Sequence, residues 1–317
     1  MSSANIPITP MKNGFANALL SLGKNNKNII CLGADITNSV GMNLFREKYP
    51  ERFFSFGIAE QNIATVAAGL ALSGKIPVFS TYAVFSAMRT IDQVRVSICY
   101  NDIPVKIGGA HAGISVGPDG ATHQALEDIA IMRSLPNMTV LSPCDENQTK
   151  LATIAAVNQI KGPCYIRYGR EPVPNFTNLN EKFTVGKAQT ILKGKDISII
   201  ATGTMVWKAL EVADILEKEG YSSTVINIHT IKPIDEETII NTAKKTQAVL
   251  TIEEHQIFGG LGSSIAEVLS QNYPIKMKIM GISDTFGESG KPEELLEKYG
   301  LGIRNIYNEA IKLIKEK

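Results

Sequence analysis

The stretch FFSFGIAEQNIATVAAGLALSGKIPVFSTY, residues 53–82, decides the fold. An aromatic-rich approach and a small turn lead into residues 61–74, which contain no ionisable side chain, and the apolar run PVFST follows. The uncharged segment has the length of a helix, and the short apolar run is typical of a buried strand. We therefore expect a helix that packs against a sheet covered on both faces.

The same alternation continues on both sides of this stretch. Short apolar runs predict further buried strands at NIICLG, PVKIGG, MTVLSP and CYIRYG. Helical patterns lie between them near residues 11–22, 85–99, 124–134 and 146–159. This order indicates an α/β fold with a doubly wound, mostly parallel sheet. In such folds, functional groups collect on the loops at the carboxyl ends of the strands, where they can converge on one rim.

A break in the alternation comes at EPVPNFTNLNEKFTVGKAQTILKGK, residues 171–195, where prolines and an Asn-rich run are typical of a linker. The alternation then resumes with the predicted strands DISIIATG, SSTVINIH, QAVLTIEEH and KMKIMGIS, separated by helices. We therefore predict a first α/β domain over residues 1–170, a linker over 171–190 and a smaller α/β domain over 191–317.

The composition excludes several classes of function. The chain carries 32 basic and 31 acidic residues, a net charge of +1, without a long run of one sign. This balance argues against a nucleic-acid partner. The uncharged segment 61–74 is too short for a membrane span, and the opening MSSANIPITPMKNG lacks the pattern of a secretory signal. We expect a cytoplasmic protein without a membrane partner.

The four cysteines are widely spaced and form no CxxC pair, which indicates reduced core thiols. Cys144 differs because it follows a predicted strand in SPCDEN, where a loop would expose it. A nucleophilic role would need a partnering histidine, and that segment contains none.

Glu60 lies at the mouth of the uncharged helical segment. A carboxylate there is partly desolvated, which favours its protonated form relative to a surface glutamate. It could share a proton with a buried ligand. By position alone, however, a structural carboxylate near the positive end of a helix dipole is the commoner role.

The loop GGAHAGISVGPDGATHQ, residues 108–124, is rich in glycine and holds two of the four histidines of the chain. His111 and His123 flank Asp119, and the glycines let the backbone approach a ligand closely. The spacing matches no compact zinc pattern, so we predict no metal ligands here. A flexible surface loop is the other alternative. We interpret the segment as a polar substrate-binding loop.

Three further features have a structural and a functional interpretation. Arg170 ends CYIRYGR and could hold an anion through its planar guanidinium, although a solvated strand-end arginine is common. Tyr82 and Phe85 follow the strand PVFST, where aromatic residues are usually core. In EEHQIFGGLGSS a strand meets a helix start, the layout of a phosphate cradle. The segment lacks the full GxGxxG spacing, so we favour tight strand-to-helix packing.

In combination, these segments resemble a known family. RFFSFGIAEQN, PVFSTYAVF, VGPDGATHQALEDIAIMRSLPNMTVLSPCDENQ and TIEEHQIFGGLGSS, in this order, are similar to the C-terminal half of a transketolase. The resemblance runs from about Met11 to the last helix. It covers the pyrimidine-binding and C-terminal domains of this thiamine diphosphate-dependent family, and 1-deoxy-D-xylulose-5-phosphate synthase shares much of it.

The resemblance implies roles in cofactor binding and catalysis. Glu60 corresponds to the glutamate that hydrogen-bonds the ring nitrogen of the cofactor's aminopyrimidine. Tyr82 and Phe85 match the aromatic residues that enclose this ring, while Met88 replaces a frequent third aromatic. Asp35 and Ile36, in GADITNS, match residues beside the thiazolium.

The resemblance also implies a set of substrate contacts. His123 corresponds to a catalytic histidine near the reacting carbon, and Asp119 to a residue that binds a sugar hydroxyl. The remaining positions match contacts to the distal phosphate, namely His111, Arg170, Ser39 and Lys12. Two departures concern specificity: Lys12 stands in place of an arginine, and Pro118 in place of an acidic residue.

No GDG motif occurs in the chain. In a full-length transketolase that motif belongs to another domain, which binds the diphosphate through a divalent metal. The resemblance therefore implies the C-terminal subunit of a split transketolase. Its partner would be an N-terminal subunit that ligates Mg2+, in an α2β2 assembly acting on sugar phosphates. The alternatives are a subunit of a related thiamine diphosphate enzyme, such as the xylulose-phosphate synthase or a specialised transketolase, and a non-catalytic regulatory paralogue.

Overall fold

The computed structural model of the protein describes residues 6–317, so the first five residues of the predicted first domain lie outside it. The strands of the described residues, in chain order, are β1 (Ile8–Pro10), β2 (Ile29–Gly33), β3 (Phe53–Ser55), β4 (Ile76–Tyr82), β5 (Lys106–Ala110), β6 (Thr139–Leu141), β7 (Cys164–Arg167), β8 (Pro172–Pro174), β9 (Gln189–Leu192), β10 (Ile197–Ala201), β11 (Ser223–Asn227), β12 (Thr230–Lys232), β13 (Val249–Gln256) and β14 (Met277–Ile282).

The α-helices, also in chain order, are α1 (Met11–Asn25), α2 (Asn43–Lys48), α3 (Glu60–Leu72), α4 (Ile91–Gln93), α5 (Asp128–Ser134), α6 (Glu146–Asn158), α7 (Met205–Lys218), α8 (Glu236–Thr246), α9 (Leu261–Asn272), α10 (Pro292–Lys298) and α11 (Ile303–Lys315). Wide π-type turns at Phe85–Arg89 and Val94–Cys99 flank α4, so the predicted helix over 85–99 is helical but irregular. Short 3-10 turns lie at Pro50–Arg52 and Ile114–Asp119.

The larger sheet has the strand order β12-β6-β7-β5-β4-β2-β3. Its strands from β3 to β6 pair in parallel, and β12 joins antiparallel at one edge. Both faces are covered: on β4, Val78 packs into the cluster that contains α1, and its neighbour Phe79 into the cluster that contains α3. This confirms the predicted α/β fold with a mostly parallel sheet.

A second sheet of five strands has the order β14-β13-β10-β11-β9. Its strands are parallel except for β9, which pairs antiparallel with β11. The buried faces of β10, β13 and α7 form its core. Like the first sheet, it belongs to the α/β class.

Two strand pairings were not predicted from the sequence. β12 comes from the second half but completes the first sheet, where Thr230 pairs with Leu141. β8 lies inside the predicted linker and pairs with β1, with Ile8 opposite Pro174. These strands are only three residues long, too short to give a period-2 signal.

The predicted helix over residues 124–134 begins later, at Asp128. Gln124 lies in the preceding loop, and its side-chain amide donates to the carbonyls of Ile114 and Glu288. Within residues 6–317, no helix is long and apolar enough to cross a lipid bilayer.

Candidate active site

Five neighbouring strands of the larger sheet deliver the predicted site residues to one edge. The order β3-β2-β4-β5-β7 places their carboxyl ends side by side, as the parallel pairing requires. The residues at this edge are Glu60 after β3, Asp35, Ile36 and Ser39 after β2, Tyr82 and Phe85 at and after β4, His111, Asp119 and His123 after β5, and Arg170 after β7. The topology agrees with the predicted convergence of these loops.

Two aromatic rings and two histidines form a cluster at the centre of this edge. Tyr82 stacks on His111 with ring centroids 4.5 Å apart and an interplanar angle of 17°. His123 meets Phe85 edge-on at 5.3 Å and Tyr82 at 5.9 Å. The Tyr82 hydroxyl lies 3.1 Å from Ser39 Oγ. Loops from three strands therefore contact one another through these side chains.

His111 is buried, and its backbone has φ 54°, in the left-handed region. Burial lowers the pKa of His111 to about 4, with further lowering by the positive charges of Arg170 and Lys12. The imidazole is therefore neutral at physiological pH. Among residues 6–317, its buried Nδ1 atom has no hydrogen-bond partner, which leaves it available to a ligand group or a water molecule.

Positive charge lies next to this imidazole. Arg170 Nη1 donates to Asp119 Oδ1 at 3.0 Å and to the carbonyl of Val116 at 2.7 Å. Lys12, at the start of α1, donates to the carbonyl of Asn38 at 3.4 Å. Arg170 and Lys12 approach from different ends of the first half of the chain, and together they favour an anion beside His111.

Glu60 is the first residue of α3, and only 2 % of its surface is exposed. Its Oε2 atom accepts from Arg89 Nη1 at 2.8 Å, and the Arg89 guanidinium lies 4.3 Å from the centre of the Phe85 ring. The sequence analysis did not identify Arg89. The available signal was its spacing: Arg89 is one helical turn after Phe85, so both face the same side of that helix.

Asp35 and Ile36 lie on the same edge but outside this contact network. Asp35 is exposed with φ 65°, and Ile36 is half-buried against the core that contains α1. Among the described residues, no side-chain hydrogen bond links either one to Glu60 or to the aromatic pair. From their loop, Ser39 makes that contact.

In the structure, the strand and the helix of the segment EEHQIFGGLGSS pack tightly, which confirms the packing interpretation and not the phosphate cradle. The buried Glu253 carboxylate accepts from the backbone N–H groups of Leu261 and Gly262, each at 2.7 Å. These are the free donors at the start of α9. A side chain of the protein already occupies the position that a phosphate would take.

The expectation that a loop exposes Cys144 is wrong. Its thiol is buried, 1 % exposed, and lies 3.4 Å from the Asn227 side-chain nitrogen. Burial, followed by the charge of Asp145, raises the pKa of Cys144 well above its usual value. A thiol in this environment stays protonated and is a poor nucleophile. Cys144 packs among core residues of the second sheet, and local sequence does not reveal that contact.

The two histidines of the loop over residues 108–124 have different neighbours. His123 Nδ1 lies 2.9 Å from Thr122 Oγ1. Across residues 6–317, no three His, Cys, Asp or Glu side chains converge in an arrangement that could hold a metal ion.

Comparison with known proteins identifies the family. Residues 9–175 match the profile of the transketolase pyrimidine-binding domain, and residues 186–306 match that of the transketolase C-terminal domain. A putative transketolase C-terminal section from Methanocaldococcus jannaschii is 42 % identical over 96 % of each chain. A 6-deoxy-6-sulfo-D-fructose transketolase subunit from a Clostridium species is 38 % identical over 97 % of this chain and 95 % of its own length.

A solved structure agrees with these sequence relatives. It is described as a split gene transketolase, an inactive beta4 tetramer, and it is 46 % identical to this chain. Its TM-score is 0.90, and the match covers 97 % of this chain and 99 % of that one. The chain belongs to the transketolase family, of which it carries the pyrimidine-binding and C-terminal domains.

Proposed function

We propose that this chain is the C-terminal subunit of a two-chain, thiamine diphosphate-dependent transketolase of the cytoplasm. The enzyme would move a two-carbon ketol unit from a ketose phosphate to an aldose phosphate, the type of transfer found in the pentose phosphate pathway. The observation that carries the proposal is the buried carboxylate of Glu60, linked through Arg89 to Phe85 on the same edge as the Tyr82–His111 stack.

The residues present fit the pyrimidine half of this cofactor. An aminopyrimidine needs flat apolar faces and a buried acceptor or proton donor at its ring nitrogen. Tyr82 and Phe85 offer aromatic faces with centroids 6.2 Å apart, and Glu60 offers a buried carboxyl group. Asp35 and Ile36 would lie beside the thiazolium. When bound, thiamine diphosphate supplies an electron sink for the two-carbon fragment.

The substrate would bind on the other side of the aromatic pair. His123 would act as a proton-transfer residue near the reacting carbon, and Asp119 would bind a sugar hydroxyl. The distal phosphate would meet Arg170, Lys12, Ser39 and the neutral imidazole of His111. The unpartnered Nδ1 of His111 and the positive charge beside it support this assignment.

A partner subunit would complete the site by binding the diphosphate and Mg2+. Apolar side chains around Glu60 support an interface there: Ile58 is 75 % exposed and Phe54 is 47 % exposed. A relative that is 46 % identical is described as an inactive beta4 tetramer. By analogy, this chain alone would self-associate without activity, and the active form would be an α2β2 assembly.

The test is reconstitution. The purified chain, thiamine diphosphate, Mg2+ and sugar phosphates should give no ketol transfer until the N-terminal subunit is added. Glu60→Gln should assemble normally but lose most of the activity, whereas the exposed control Glu51→Gln should retain it. Activity of the chain alone would refute the split site. Full activity of Glu60→Gln in the assembly would favour a non-catalytic, regulatory role.

A specialised transketolase is the second candidate. One relative is named as a 6-deoxy-6-sulfo-D-fructose transketolase subunit, so the sugar named for a member of this family need not be a phosphate. Lys12 replaces the expected arginine with a single ammonium group, which recognises a phosphate less specifically. A panel of donors that includes ketose phosphates, sulfonated ketoses and pyruvate would decide. Pyruvate as the preferred donor would favour the synthase-like alternative.

A further inference from the structure

The loop that carries the proposed substrate residues lies in the first half of the chain, but segments of the second half contact it. We call residues 111–124 the substrate loop. Its role in substrate binding rests on the proposed function. Two segments of the second half contact it. One is the end of β13 with Glu254, and the other is the segment 287–292.

Glu254 makes the central contact. Its buried carboxylate accepts from the backbone N–H of Ser115 at 3.0 Å through Oε2, and from the Thr204 hydroxyl at 2.5 Å through Oε1. The backbone of Gly113 passes so close that a Cβ atom there would lie 2.3 Å from Glu254 Oε2. Gly113 also has φ 91°, so glycine is required on both grounds.

The base of this contact is fixed as well. Arg167 Nη2 donates to the backbone carbonyl of Glu254 at 2.7 Å, and its Nε donates to Asp128 at 2.9 Å. Arg167 ends β7 of the first sheet, and Glu254 lies on β13 of the second. Glu254 is therefore bonded to both sheets: it belongs to the second, and its backbone carbonyl accepts from an arginine of the first.

The second segment contacts the other end of the loop. Gln124 donates to the carbonyl of Glu288 at 2.9 Å. A Cβ atom on Gly120 would lie 2.5 Å from Ser289 Oγ, and one on Gly117 would lie 3.1 Å from Pro292. The first half of the chain also contacts the loop: Ala112 N–H donates to the carbonyl of Tyr168 at its start, and Arg170 donates to Val116 and Asp119 in its middle.

We infer that Glu254 is a positioning residue: through Ser115 and Gly113 it fixes the substrate loop, and so the placement of His111 and His123 against the substrate. This assigns the C-terminal domain a part in substrate recognition in addition to packing. Glu254 lies on the second sheet, and Glu60 and the aromatic pair lie on the first, so loss of its contact should weaken substrate binding more than cofactor binding.

The test uses two pairs of variants. Glu254→Ala removes the contact to the loop, and its control Glu253→Ala removes an adjacent buried carboxylate that caps α9 instead. Thr204→Val removes only the hydroxyl that orients Glu254. Its control is Thr251→Val, because the buried Thr251 hydroxyl has no hydrogen-bond partner in the part of the chain that the structure describes. Glu254→Gln keeps one acceptor for Ser115 and should rescue most of the effect.

The first readout is hydrogen exchange of the isolated, full-length chain. Glu254→Ala and Thr204→Val should speed exchange in the peptide that covers residues 111–124, while Glu253→Ala should speed exchange in α9. The second readout is the reconstituted enzyme. Glu254→Ala should lower kcat/KM for the sugar phosphate about tenfold or more, with a rise in KM, since a small displacement of the residues that meet the substrate costs one to two orders of magnitude.

Unchanged exchange in the substrate loop of Glu254→Ala would overturn the inference, as would an equal rise in KM in Glu253→Ala. A change in thiamine diphosphate affinity as large as that in KM would also overturn it. If the reconstituted protein shows no ketol transfer with any donor, the proposed function fails, and the exchange experiment still decides whether Glu254 holds the loop.

Discussion

Glu60 and Arg89 form an ion pair in which the carboxylate is buried and the guanidinium is partly exposed. The Glu60 side chain is 2 % exposed, and that of Arg89 is 43 % exposed. A buried carboxylate without a counter-charge is costly, and Arg89 supplies that charge in the subunit by itself. Arg89 also lies over the Phe85 ring, so binding of the cofactor as proposed would require the Arg89 side chain to move off that face.

Removal of Arg89 alone should therefore destabilise the isolated chain. Arg89→Met should lower the free energy of unfolding by about 2 kcal/mol, since Glu60 is left buried and unpaired while water can still reach the gap. The double variant Arg89→Met with Glu60→Gln should recover most of this loss. Urea unfolding measures both. Arg95→Met, at an exposed arginine of the same helical segment, is the control, and an equal loss in it would contradict the assignment.

Two buried histidines predict how stability depends on pH. Burial lowers the pKa values of His111 and His229 to about 4 each. The unfolded chain binds these protons near pH 6.5, where the folded chain does not. The stabilisation is therefore complete above about pH 6.5 and is lost as the pH falls toward 4. Each histidine should cost about 2 kcal/mol of stability at pH 5.

The variant His229→Gln isolates one of these contributions. It should lose about 2 kcal/mol less than the native chain between pH 7 and pH 5, in urea unfolding of the isolated chain. Equal losses of stability in the two proteins would contradict the prediction, because the folded chain would then bind the His229 proton over the same pH range as the unfolded chain.

At the scale of helices, close packing of α1 on α6 depends on one missing side chain. A Cβ atom on Gly14 would lie 2.1 Å from the carbonyl oxygen of Glu146, at the start of α6. Backbone of a neighbouring helix cannot move aside as a flexible side chain does. α1 also carries Lys12, so this packing contributes to the geometry of the proposed phosphate contact.

Gly14→Ala should therefore destabilise the protein although alanine is the better helix former. We expect a loss of about 1–3 kcal/mol from overpacking. The matched variant is Gly69→Ala in α3, where, beyond the helix's own backbone, the added methyl group would meet no described residue within 4 Å. This change should stabilise the chain by up to about 1 kcal/mol. Thermal unfolding of both variants checks the prediction, and a gain in stability for Gly14→Ala would refute the close approach.

The same elements indicate how far sequence reasoning reaches. Long apolar strands such as β4 and β13, and helices such as α3, follow from local periodicity, so they were predicted within a few residues. The position of Glu60 and the loop with His111 followed from motifs at strand ends. Arg89, Glu254 and β12 were missed because their partners are distant in sequence: Glu254 meets Ser115 only after two sheets have packed. Tertiary contacts of this kind leave no local period.

At the scale of the whole molecule, exposed apolar side chains border the proposed active site. α3 has uncharged exposed positions along one side, among them Gln61, Thr65 and Leu72. Ile58 and Phe54 extend this surface to Glu60. Exposed apolar side chains that border the proposed cofactor site support the N-terminal subunit as the occupant of this surface in the active assembly.

A charge at this border should block assembly without disturbing the fold. Ile58→Lys should leave the free energy of unfolding of the isolated chain within about 0.5 kcal/mol of the native value, because the side chain is 75 % exposed. It should weaken binding of the N-terminal subunit by about 2 kcal/mol or more, since a lysine would be buried there unpaired. Titration calorimetry or analytical ultracentrifugation of the mixed subunits measures this. The control Leu179→Lys, at another exposed apolar residue outside α3, should bind normally. Normal binding by Ile58→Lys would place the partner on another face and separate Glu60 from the interface.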